Sequence, residues 1–147
     1  MPVGSFEDQL KKFQVKTTRK LDLLGRKVAL ELFKRVIYKT PVDTGRARAN
    51  WQVTIGAIAD GTLEVDDKSG GATMSKATAA SAGFKAGDII YLTNNLPYIM
   101  KLEEGGYPDG PKTTGGFSRQ APAGMVALTV QEFAQVVNQI SVEIGRQ

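Results

Sequence analysis

Residues 18–41, TRKLDLLGRKVALELFKRVIYKTP, decide the architecture. Within them Leu21, Leu24, Val28, Leu32 and Val36 recur at spacings of three or four, and Ala29 and Phe33 widen the stripe. That period matches the α-helix, so the spacing predicts one amphipathic helix of about six turns over Thr18–Lys39. Arg26, Lys27, Glu31, Lys34 and Arg35 fall mostly off the stripe. Thr40-Pro41 ends it, because proline disfavours helical backbone in the residue before it and has no N–H to donate.

Working outward, Ser5 before Phe6-Glu7-Asp8 reads as a helix cap with acids in the first turn, so a short helix is expected to about Phe13. Downstream, Val42-Asp43-Thr44-Gly45 turns the chain, with Asp43 capping and Gly45 at a positive φ. Trp51, Val53, Ile55 and Ala57 alternate with Gln52, Thr54 and Gly56, the pattern of a half-buried strand over Asn50–Ile58. Asp60-Gly61 signals a hairpin, with Thr62–Val65 returning. Asp66–Ala86 is Gly, Ala, Ser and Thr with few anchors, and reads as a mobile loop. Ile89–Leu92 reads as a short buried strand and Asn94–Pro97 as a turn. Tyr98–Glu104 is a short helix with Ile99 and Leu102 inward, and Tyr107–Pro122 is irregular. Val126, Val130, Phe133, Val137, Ile140 and Ile144 then mark a helix from about Ala123 to Ile144, capped by Gly145.

The expected fold is α+β: a small antiparallel sheet packed against a long N-terminal helix and a C-terminal helix, with long Gly-rich loops. One domain spans 1–147, with a helical part at 5–39, sheet and short helix at 50–104, and the last helix at 123–145.

The chain has neither Cys nor His, which removes disulfides, thiol nucleophiles, imidazole bases and the usual zinc sites. No apolar run reaches bilayer length, and Met1–Leu10 has no apolar core of a signal peptide, so a cytosolic product is expected. The net charge of +4 is uneven. Through Asn50 twelve cations face five anions, and afterwards seven face ten. Such asymmetry suits nucleic acid or an acidic neighbour subunit. Lys12, Lys16, Arg19 and Lys20 are the residues that would track phosphates, although no named nucleic-acid motif is present.

Asp43-Thr44-Gly45 is also the signature of aspartic proteases, which needs a hydrophobic strand before it. Here a basic helix and Thr40-Pro41 precede it, so a turn is the reading. Gly105-Gly106 and Gly115-Gly116 lack the spacing of phosphate loops. Glu103 and Glu104 are adjacent on a helix and point apart, so they form no carboxylate pair. No enzyme activity, metal or cofactor is expected.

Three segments carry a resemblance. They are Thr40-Pro41-Val42-Asp43-Thr44-Gly45-Arg46-Ala47-Arg48-Ala49-Asn50-Trp51, Asn94–Gly105 (NNLPYIMKLEEG), and Gln120–Val126 (QAPAGMV) before the last helix. Together and in this order they resemble the tail-completion, or head–tail joining, minor tail proteins of long-tailed bacteriophages. The likeness covers most of the chain, with Asp66–Ala86 outside it. It implies a structural virion protein, made in the host cytoplasm, forming a homo-hexameric ring at the neck or head-proximal tail end. The implied partners are further copies, a tail terminator, a stopper or connector, the tail tube, and DNA passing through a channel, with no membrane and no cofactor. Subunit contacts are then expected at Asp43, Arg46, Arg48, Tyr98, Glu103, Glu104, Tyr107, Phe117 and Arg119, with Lys12, Lys16, Arg19 and Lys20 facing DNA. Asp66–Ala86 and Gly105–Pro122 would become ordered against neighbouring copies. The other class open to this sequence is a basic nucleic-acid-binding accessory protein.

Overall fold

A computed structural model describes residues 5–146. Its axis is α1 (Phe6–Lys39), about 51 Å long at 1.5 Å per residue. The short helix expected up to Phe13 and the longer one from Thr18 are therefore a single element. Nothing in Gln14-Val15-Lys16-Thr17 breaks a helix, so α1 runs through. Ser5 caps it as expected, its Oγ accepting from the Asp8 amide at 3.2 Å. Thr40 stops it in extended backbone before Pro41.

Beyond the turn lie α2 (Arg46–Ala49) and β1 (Gln52–Ile55). Gly45 takes φ +91° as expected, but Asp43 is not the cap. The Thr44 hydroxyl accepts from the Arg46 amide instead, at 3.2 Å. The expected Asp60-Gly61 hairpin does not form. β1 stops at Gly56, whose φ is +87°, and pairs antiparallel with β2 (Ile90–Thr93), Gln52 opposite Thr93 and Ile55 opposite Ile90. Thr62–Val65 is not a strand. The Asn50 side chain replaces one there, accepting from the Leu63 amide at 2.7 Å and donating to its carbonyl at 2.9 Å.

The stretch read as a mobile loop contains α3 (Gly71–Ser81). Asp67 caps it, its carboxylate accepting from the Thr73 amide and hydroxyl at 2.8 and 2.7 Å and from the Gly70 amide at 3.1 Å. Thr73, Ala77 and Ser81, four residues apart, form its buried face. Small side chains suffice because the helix lies close against α1 and β1. Phe84 then packs against α1 at Gly25, where a Cβ would sit 2.4 Å from the ring.

The rest comprises α4 (Ile99–Glu104), with Ile99 and Leu102 buried as expected, and a two-residue ladder of β3 (Thr113–Thr114) with β4 (Phe117–Ser118). The C-terminal helix is divided into α5 (Val126–Gln131) and α6 (Phe133–Gly145). Val126, Val130 and Phe133, expected inside, are exposed, and Thr129 and Val136 are buried in their place. Polar anchoring accounts for the rotation. Glu132, at the break, is held by both Arg35 and Lys39 of α1, and Lys39 also donates to the Thr129 hydroxyl at 3.0 Å. Gly145 is the last residue of α6, with Arg146 as its cap, and takes no positive φ.

The fold is α+β, with two apolar clusters separated by α1. On one side Phe33, Val36 and Ile37 meet Trp51, Ile99, Leu102 and Met125, with Val53, Ile90 and Leu92 of the sheet packed against them. On the other, Leu23, Leu24, Val28 and Leu32 cover Val136, Ile140 and Ile144 of α6. Leu21, expected in the stripe, is exposed.

Candidate functional site

Two surface features stand out: a cleft formed where the chain segments converge, and the free arm of α1.

The cleft holds about 820 Å³ and lies over the Pro41–Ala47 turn. The left-handed backbone of Gly45 makes the turn tight, and a Cβ there would lie 2.6 Å from the Asp67 backbone. That geometry starts α2 and aims Arg46 at the cleft, where its Nε donates to the Asp66 carboxylate at 2.9 Å. Tyr98, at the head of α4, and Tyr107 provide aromatic surface. Burial pushes the Tyr98 phenol up, against the opposing pull of Arg46. Lys101 lies over the Tyr107 ring with its Nζ 5.6 Å from the centroid. Lys112, just before β3, and Arg119, just after β4, add positive charge, Lys112 standing 3.7 Å from Asp43. Gln120 latches the segment after β4 onto the turn, its Oε1 accepting from the Val42 amide at 2.7 Å and its Nε2 donating to the Val42 carbonyl at 2.9 Å.

Of the nine residues expected at a subunit interface, Asp43, Arg46, Tyr98, Tyr107 and Arg119 line this cleft together. Glu104 is exposed but does not line it. The other three serve the chain itself. Arg48 donates to the carbonyls of Lys68, Tyr38 and Thr40 at 2.8, 3.0 and 3.0 Å and stacks 5.5 Å over the Tyr38 ring. Burial lowers its pKa, and it joins the end of α1 to the approach of α3. Glu103 caps α5, its carboxylate accepting from the amides of Met125, Val126 and Ala127, each at 2.8 Å. Phe117 is half-buried against Gly105. Sequence reasoning passed over Lys112 and Gln120 in the cleft; a lone cation and a lone amide in a Gly/Pro loop carry no periodic signal.

The arm is the first part of α1. Lys12, Lys16, Arg19 and Lys20, expected to face phosphates, share one shallow groove with Lys11, ended by Leu23 and Ile144. None of these five cations has an ion-pair partner among the described residues. Among those residues no three carboxylates gather as a metal site, and no helix is long and apolar enough to cross a membrane. The cleft brings aromatic faces and charges of both signs together, a chemistry suited to gripping a peptide surface.

In comparisons with known proteins, no family model, no curated protein and no solved structure matches this chain.

Proposed function

We propose that this protein is a noncatalytic structural subunit of a phage virion, which assembles into a sixfold ring at the neck or the head-proximal end of the tail. The observation that carries the reading is the convergence of the three family-like segments. Gln120 clamps Val42 through two hydrogen bonds. Asn94 donates to the Ala47 carbonyl at 2.9 Å, and Glu103 caps the helix that follows Gln120–Val126. Segments far apart in sequence thus build one rigid face around one cleft. Such a face, with aromatic walls and a rim of Arg46, Lys112, Arg119, Asp43 and Asp66, has the make-up of a subunit contact. The ring would terminate or join the tail and let DNA pass.

The test is imaging of virions carrying a tagged copy of this chain. Density for the tag is expected as a ring at the head–tail junction. Its absence from particles, or infectious particles with normal tails made without the gene, would overturn the reading. A second reading, a basic nucleic-acid-binding accessory protein, is favoured by the five cations of the arm, which have no ion-pair partner among the described residues. It requires DNA affinity in the isolated chain whose logarithm falls linearly with the logarithm of salt.

A further inference from the structure

The arm of α1 is apolar as well as basic. Phe6 is 77% exposed, Phe13 65% and Leu21 51%, and with Leu10 they lie along one face of the helix. Lys16 and Lys20 lie along one edge of that face. A solvated helical stretch this short is marginal alone, so an uncovered apolar face of about four turns, Phe6 to Leu21, calls for a partner. That partner must supply apolar side chains among negative charges.

One surface of the same chain does so. The loop 57–66 exposes Ile58 and Val65 together with Asp60, Glu64 and Asp66, and Ile89 is exposed beside it, its carbonyl accepting from Gly56 at 2.8 Å. The loop is held in shape although it is not a strand. Asn95 donates to the carbonyls of Ala59 and Gly61, each at 3.0 Å, and Asn50 fixes Leu63. An arm cannot fold back onto its own loop. Leu63 is tied through Asn50 to the C-terminal end of α1, where Trp51 donates to the Thr40 hydroxyl at 2.7 Å. Phe13 lies about 39 Å up the same rigid helix.

We infer that the basic, apolar arm of one copy docks on the acidic, apolar loop 57–66 of the next copy, head to tail, using Phe6, Leu10 and Phe13 as anchors. Two different patches meet, so the contact is heterologous, and it closes into a ring when the rotation between copies permits. The loop ends at Asp66 on the rim of the cleft, so the arm arrives beside the surface already assigned to subunit contact. The inference rests on the ring reading and gives it a specific joint.

Charge reversal tests it by sedimentation of the purified full chain. Lys12→Glu, Lys16→Glu and Lys20→Glu combined, or Asp60→Lys with Glu64→Lys, are each expected to reduce the oligomer to monomer. Circular dichroism should be unchanged, because Lys12, Lys16, Asp60 and Glu64 are exposed and Lys20 is only half-buried. Mixing the two variant proteins should restore the oligomer, since each acidic surface then meets a basic one on the other protein. Phe13→Ser should weaken association without altering charge. Oligomers of wild-type size in the arm-reversed protein, or no recovery on mixing, would overturn this joint and leave the ring reading standing. A wild-type chain that stays monomeric at its highest soluble concentration would overturn both.

Discussion

Glu103 shows how a single side chain fixes the relation between distant segments. Adjacent acids at 103 and 104 invite a surface reading, yet one is exposed and the other holds three backbone amides at the start of α5. Gly124 makes this close approach achievable: its φ is +85°, and a Cβ would stand 2.5 Å from the Glu103 carbonyl oxygen. Glu103→Ala should therefore lower stability by about 2 kcal/mol, read as the shift in urea unfolding, with Glu103→Gln losing less. Glu104→Ala should leave the transition in place. Asp67 makes a pH prediction. Burial pushes its carboxyl up, but hydrogen bonds from Thr73, Gly70 and Ser69 outweigh this and hold the pKa below the usual carboxylate range. A group depressed in the folded state stabilises above its unfolded pKa, and that contribution fades as pH falls through the folded value. Asp67→Asn should thus be less stable than wild type near neutrality, with the difference narrowing in acid. A gap that stays constant down the acid limb would remove this role from Asp67.

At the level of elements, α3 is the instructive case. Its side chains are too small to announce a core, so composition alone reads as a loop. The signals that were present are local: a capping Asp67 with Ser69 and Gly70, then small residues Thr73, Ala77 and Ser81 on one helical face. Ala77→Leu, forced between α3 and its neighbours, should cost about 1–3 kcal/mol in thermal unfolding. Ala79→Leu on the exposed face should change stability by no more than about 0.5 kcal/mol. The opposite failure occurs at the C-terminus, where a clean apolar period over Val126–Ile144 hides a break. Periodicity reports which residues are able to share a face. It is silent about Glu132, which is clamped by Arg35 and Lys39 and turns the chain between α5 and α6. The bond from Lys39 first, and that from Arg35 after it, hold the Glu132 carboxyl below its ordinary range. The hairpin misreading has the same origin: Asp60-Gly61 is a valid turn signal, but pairing is decided by β2, whose first residue, Ile90, lies 35 positions after Ile55, the last of β1.

Across the whole molecule, the long helix, its stop at Thr40-Pro41, the α+β class and the short helix at Ile99–Glu104 were legible because each rests on local chemistry. The cleft was legible in part. Asp43, Arg46, Tyr98, Tyr107 and Arg119 belong to it, while Arg48 and Glu103 turned inward to satisfy backbone groups that no sequence pattern displays. Two exposed surfaces stand apart from the core: the basic, apolar arm of α1 and the acidic, apolar loop 57–66, with the cleft beside that loop. The proposed ring would bring these complementary surfaces of successive copies together. Native mass spectrometry of the purified chain tests this most directly. A single closed species of six copies, dissociated by Arg46→Glu in the cleft, is the predicted result; a monomer at every concentration reached, or an oligomer untouched by Arg46→Glu, would contradict it.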